Sequence, residues 1–153
     1  MTPSRSASRT AVDTSDVAAR LRLSATRLAR RLRQEASSGH TPTQLSALAA
    51  IHNHGPLTLG ALAELERVAP PSITKVITKL EAEGVVARTT DPTDGRVSLV
   101  STTKAGRDLI AESRRRKTTW LTARIGRLPL DDQARIADAL DALDHLLDLD
   151  DRP

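Results

Sequence analysis

The 153-residue sequence has no cysteine, no phenylalanine and no tyrosine, and Trp120 is its only tryptophan. Without cysteine there can be no disulfide, no thiolate zinc site and no cysteine redox sensor. With so few aromatics, a core must be assembled from Leu, Ile, Val and Ala, residues that fill helix–helix seams well. A mainly helical fold is therefore expected. No apolar run approaches the length that spans a bilayer, and the polar, Ser/Arg-rich start lacks a signal-type segment, so a soluble cytoplasmic protein without a membrane partner is expected. Also missing are GxSxG, a P-loop, GxGxxG, a Cys nucleophile and a metal-ligand helix. Neither an enzyme, nor catalytic residues, nor a cofactor is expected.

What is present is charge, and it is unevenly placed. The net charge of +4 divides into 8 basic and 3 acidic residues over 1–35, 4 and 4 over 36–90, 9 and 4 over 91–127, and 2 and 8 over 128–153. Basic segments suit a polyanionic partner, because Lys and Arg displace condensed counterions from nucleic acid, although solvated helix faces give the same count. At this length folding buries roughly two-thirds of the unfolded surface, enough for one core.

Residues 1–14 lack periodicity and read as a disordered tail, and 150–153 read as a short tail. From Asp16, Val17, Leu21, Leu28 and Leu32 recur at helical spacing among many arginines, giving a basic helix over 15–36. Thr41-Pro42-Thr43-Gln44 supplies an N-cap, a first-turn proline and a capping-box glutamine for a second helix that buries Leu45, Leu48 and Ile51 and stops at Gly55-Pro56. Thr58 caps a short helix over 59–66, with Leu62 and Leu65 inward. After a tight turn, Pro70 and Pro71 open a fourth helix in which Ile73, Val76, Ile77 and Leu80 form one stripe. Its other face offers Ser72, Thr74, Lys75, Thr78 and Lys79, hydrogen-bond donors of little bulk. Residues 85–89 and 96–101 read as a β-hairpin around the polar turn 91–95. Thr103 then caps a long helix to about Arg127, with Leu109, Ile110, Trp120, Leu121 and Ile125 on its apolar side. A last helix, about 131–148, aligns Ile136, Leu140, Leu143 and Leu147. This order implies a mainly α fold with a small β-wing: a winged helix-turn-helix over 37–102 between terminal helices at 15–36 and 103–149.

TPTQLSALAAI, VAPPSITKVITKLEAEGVV and DPTDGRVSLVSTTKAGRDLI, spread over residues 41–110, resemble the MarR (multiple-antibiotic-resistance regulator) family. The resemblance extends more weakly over about 16–149. It implies a homodimeric transcription regulator, a repressor, that binds double-stranded DNA at a pseudo-palindromic operator. It makes the Ser72–Lys79 face the base- and phosphate-contacting surface, with Lys75 foremost. It makes Arg96 a minor-groove arginine oriented by Asp94, which suits the negative potential of a narrow minor groove. It also implies intertwined terminal helices and release by a small aromatic or anionic effector, whose binding residues the sequence leaves unknown. Gly95 stands where relatives often carry a longer, charged residue, so a pliable wing tip is expected and more of the sequence reading falls to the fourth helix.

Several features have plainer explanations. Lys79 and Glu83 have the i, i+4 spacing of an ordinary surface pair. Trp120 fits helix packing better than a ligand box, and His52-Asn53-His54 lacks a nearby carboxylate or thiolate to make a metal site. Arg114–Lys117 points in several directions, as a solvated surface does. A winged-helix adaptor that binds another protein instead of DNA is the alternative function, but it gives Arg96 no task.

Overall fold

A computed structural model describes residues 13–36 and 39–148, so most of the 1–14 tail and all of the 150–153 tail lie outside the described residues. Contacts divide the chain into two units, one ending at Gln34 and the other beginning at Glu35. The first is α1 (Thr14–Glu35), which holds no buried residue. Its start is set by Asp13, whose Oδ1 accepts the Ser15 N–H at 2.9 Å and the Asp16 N–H at 3.3 Å. The helix thus begins two residues before Asp16, and Asp13 and Thr14 belong to it rather than to the tail.

The second unit contains α2 (Pro42–His54), β1 (Leu57–Thr58), α3 (Leu59–Glu66), α4 (Pro70–Ala82), β2 (Val86–Thr90), β3 (Ser98–Thr102), α5 (Lys104–Ile125) and α6 (Leu130–Asp148). The mainly helical, winged helix-turn-helix expectation holds. At the start of α2 the capping box forms: Thr41 Oγ1 accepts the Gln44 N–H at 3.3 Å, and Gln44 Oε1 accepts the Thr41 N–H at 2.8 Å. Pro70 and Pro71 open α4 without a side-chain cap, and their missing N–H groups lower the number of donors that need one.

Expectations about the sheet and the core are corrected. The hairpin is part of a three-stranded antiparallel sheet, ordered β1-β3-β2, because Leu57 and Thr58 pair with Val100 and Leu99. Leu65 is 46% exposed while Ala63 is buried. At 100° per residue, Ala63 lies 100° to one side of Leu62 and Leu65 lies 60° to the other. A core direction between Leu62 and Ala63 therefore leaves Leu65 outside. Leu45 and Val76, expected inside, are half-buried.

Leu48, Ile51, Leu62, Ile73, Ile77, Leu80, Val86 and Val100 are fully buried, an all-aliphatic core drawn from α2, α3, α4 and the sheet. Each contributes roughly 1.5–3 kcal/mol by leaving water. Ile110 of α5 joins this core, and half-buried Leu109 packs against it. By contrast α6 has no buried residue, and Ile136, Leu140 and Leu147 are exposed. No helix among the described residues is long and apolar enough to cross a membrane.

Candidate nucleic-acid interface

Ile73, Ile77 and Leu80 anchor α4 in the core, which fixes what the helix shows to solvent. Ser72, Thr74, Lys75, Thr78 and Lys79 are all exposed. Lys75 lies about 200° around the helix from Ile73, almost opposite the buried stripe. Thr74 Oγ1 donates to Pro70 O at 3.0 Å and Thr78 Oγ1 to Thr74 O at 2.9 Å. These two hydroxyl protons are thus spent on the helix backbone, and the side chains offer methyl groups and acceptor lone pairs instead of the expected donors.

Lys79 does not pair with Glu83. That carboxylate meets His40 Nε2 at 2.8 Å, tying the segment before α2 to the end of α4. Neither Lys75 nor Lys79 has a hydrogen-bond or ion-pair partner among the described residues. Cations elsewhere are often engaged: Lys104 with Asp108 at 2.6 Å, Arg115 and Arg116 with Glu112 at 2.8 Å, and Arg135 with Asp132 at 3.1 Å. Hydrogen bonds from Arg115 and Arg116 pull the Glu112 carboxyl down to about 2. The 114–117 run is therefore partly an ion-pair cluster along α5.

The wing loop is tied by two aspartates. Asp91 Oδ1 accepts the Thr93 hydroxyl at 2.6 Å, the Thr93 N–H at 2.7 Å and the Asp94 N–H at 3.2 Å. Across the loop, Asp91 N–H reaches Val97 O and Val97 N–H reaches Asp94 O, both at 2.9 Å. Asp94 Oδ1 accepts the Arg96 N–H at 3.0 Å. Asp94 thus holds the backbone of Arg96, whose exposed guanidinium has no partner among the described residues. Arg96 sits in the loop before β3 rather than in the strand, and Gly95 does not adopt a left-handed backbone. The loop around Gly95 is braced by the carboxylates of Asp91 and Asp94. Arg88 of β2 lies 3.0 Å from Glu81 of α4, linking wing to helix.

The Thr93 hydroxyl and N–H, with the Asp94 N–H, hold the Asp91 carboxyl below the usual carboxylate range. Its contribution to the loop is complete above the unfolded value and is lost as pH falls through the depressed one. Asp91→Ala is expected to speed amide exchange at Thr93 and Asp94 while leaving exchange in α4 unchanged. Equal exchange in the variant loop would show that Asp91 is not its brace.

Gly106, which no sequence motif marks, is buried in the first turn of α5. A Cβ there would fall on the Val85 carbonyl oxygen. Thr103 fastens the same junction, accepting the Gly106 N–H at 3.1 Å and donating its hydroxyl to Gly84 O at 2.7 Å. A glycine in a helical first turn, where alanine is the better helix former, was the available signal. No group of three His, Cys, Asp or Glu side chains that could hold a metal occurs among the described residues. Trp120 is half-buried with the Arg124 guanidinium 5.2 Å from its ring centre.

Residues 40–98 match the MarR family. The chain is 41% identical over 133 residues, 86% of its length and 93% of the relative's, to an uncharacterised HTH-type transcriptional regulator of Mycobacterium leprae. The chain belongs to the MarR family. This MarR-family chain is thus a winged-helix DNA-binding transcription regulator, and the family is one of regulators rather than enzymes. Over 68 residues, 44% of each chain, it is 38% identical to the HTH-type transcriptional repressor MdtR of Bacillus subtilis. Its fold matches the crystal structure of a transcriptional regulator from Thermotoga maritima with a TM-score of 0.74 and 25% identity, over 85% of this chain and 95% of the other.

Proposed function

We propose that this MarR-family regulator is a repressor that binds a pseudo-palindromic operator as a homodimer. In this reading α4 enters the major groove with Ser72, Thr74, Lys75, Thr78 and Lys79, and Arg96, set by Asp94, enters the adjoining minor groove. The observation that carries it is the set of exposed cations Lys75, Lys79 and Arg96, none of them paired among the described residues. An anionic partner can engage them without first breaking an internal ion pair. Repression follows from occupancy, since a dimer seated on an operator within a promoter excludes polymerase, and the similar Bacillus subtilis protein is a repressor.

Fluorescence anisotropy on duplexes enriched by the chain from a random pool, repeated at several salt concentrations, tests this reading. Affinity is expected to fall linearly with salt on a log–log plot, with a slope set by the phosphates neutralised. Absent or salt-insensitive binding would favour the protein-interaction adaptor.

One reading head contacts few base pairs, so useful affinity requires two copies about one helical turn, ~34 Å, apart. The helices α1, α5 and α6 are assigned to dimerisation. The first is rich in arginine, and α6 carries Asp138, Asp141, Asp144 and Asp148 beside the exposed Ile136, Leu140 and Leu147. In the dimer the basic α1 of one protomer meets the acidic α6 of its partner, which aids register more than affinity. Asp141→Lys with Asp144→Lys is expected to weaken the dimer in sedimentation, as is raised salt. Dimerisation indifferent to both would contradict this pairing. The effector is a small aromatic or anionic molecule. A mostly apolar surface hollow of about 790 Å³ on α5, bordered by Ala111, Ala123, Thr118 and Thr122 with Arg114 at its edge, is a place for its aromatic part.

A further inference from the structure

Four described residues have a positive φ: Gly39, Gly55, Gly84 and Arg67. Glycine at the first three needs no special reason, since it lacks the Cβ that makes this region costly. Arg67, at φ 53° and ψ 43°, is the exception, and it lies in the turn between α3 and α4. The hydrogen bonds are those of a Schellman closure. The Val68 N–H reaches Ala63 O at 3.0 Å and the Arg67 N–H reaches Glu64 O at 3.1 Å. Val68 packs against the core, as the residue after such a cap commonly does. Glycine would satisfy the same geometry without strain, so the turn itself does not call for a side chain.

Nor does the rest of the described fold use the arginine. Its side chain is exposed and has no hydrogen-bond or ion-pair partner among the described residues, although Glu64 and Glu66 are close in sequence. A long cation is kept at a strained position where the folded chain makes no use of it. Strain of this kind at an exposed site points to a role outside the fold.

We propose that Arg67 is a phosphate-binding residue that seats α4 on DNA. The proposal rests on the DNA reading of α4 given above. In a helix-turn-helix the first helix crosses the sugar–phosphate backbone and the second enters the groove by its N-terminal residues. The connecting turn therefore passes the phosphates at the groove edge, and Arg67 stands three residues before Pro70, where α4 begins. A guanidinium there contacts phosphate oxygens whatever the sequence, fixing the depth and register of α4 while leaving base discrimination to Lys75 and its neighbours. The rigid Schellman backbone presents it from a fixed point.

The test uses full-length Arg67→Gly, Arg67→Ala and Arg67→Lys with two duplexes, one enriched by the wild-type chain and one scrambled version of it. Arg67→Gly is expected to raise Tm by roughly 2–4 °C through relief of strain. It should nevertheless weaken binding to both duplexes by about 10- to 30-fold, since a dimer loses two contacts. The log–log salt slope should become shallower by about 1.8, two phosphates' worth. Arg67→Ala should lose the same affinity without the gain in Tm, and Arg67→Lys should restore most of it. Wild-type affinity and slope in Arg67→Gly would overturn the proposal while leaving the role of α4 standing. A loss confined to the enriched duplex would overturn it in favour of base contact. Failure of the wild-type chain to bind any duplex with salt dependence would remove the DNA reading itself.

Discussion

Replacing Gly106 by alanine is expected to destabilise the protein by about 2–3 kcal/mol, even though alanine is the better helix former. The added methyl would land on the Val85 carbonyl oxygen, with the Val85 carbonyl carbon at 3.1 Å and Leu48 Cδ1 at 3.3 Å. That oxygen is not free to retreat, because it accepts the Thr103 N–H at 3.1 Å. Leu48 is fully buried and equally constrained. Relief therefore requires α5 to lift from the α4–β2 junction. Gly60→Ala is the matched control, since a Cβ there meets only Thr58 Oγ1, at 3.9 Å. It should be neutral or stabilise by up to about 1 kcal/mol. Denaturant unfolding of both variants checks the contrast. Similar midpoints for the two would show that the close approach at Gly106 is not what fixes α5.

The second large effect is expected from removing the unpaired cations. On the proposed dimer each substitution removes two contacts, so Lys75→Ala should cost roughly 2–5 kcal/mol of binding free energy to an operator, ~30-fold or more. If Lys75 reads a base, the loss is greatest for the preferred sequence, whereas a phosphate role weakens all sequences alike. Arg96→Ala should weaken binding and reduce any preference for a narrow A·T-rich minor groove flanking the half-site. Neither change should alter Tm much, because neither side chain has a partner within the described residues. Binding to the preferred and scrambled duplexes, measured alongside the dimer fraction, separates these outcomes.

Features that depend on local chemistry were legible in the sequence. Thr41-Pro42-Thr43-Gln44 announced the start of α2, and the Ile73, Ile77 and Leu80 spacing gave α4 and the face it turns outward. What depended on distant partners was not. Two residues, Leu57 and Thr58, are too few to show a strand pattern, and only pairing with β3 makes them one. Leu65 has the right spacing from Leu62, but the core lies on the Ala63 side. The Lys79–Glu83 pair was allowed by helical spacing and displaced by His40, a residue remote in sequence. In the wing, the bonds that the Asp91 and Asp94 carboxylates make to Thr93 and Arg96 depend on how the loop folds back and were not read from the sequence. Family membership gives the function class. The roles of individual cations rest on their exposure and lack of internal partners.

Hydroxyl-radical footprinting of the chain on an enriched duplex is the most direct measurement of its central role. A two-fold symmetric pattern is expected, with major-groove half-sites about 10 base pairs apart. Flanking minor-groove protection should disappear in Arg96→Ala and the half-site pattern should weaken in Lys75→Ala. A single asymmetric patch, or protection unchanged in both variants, would contradict it.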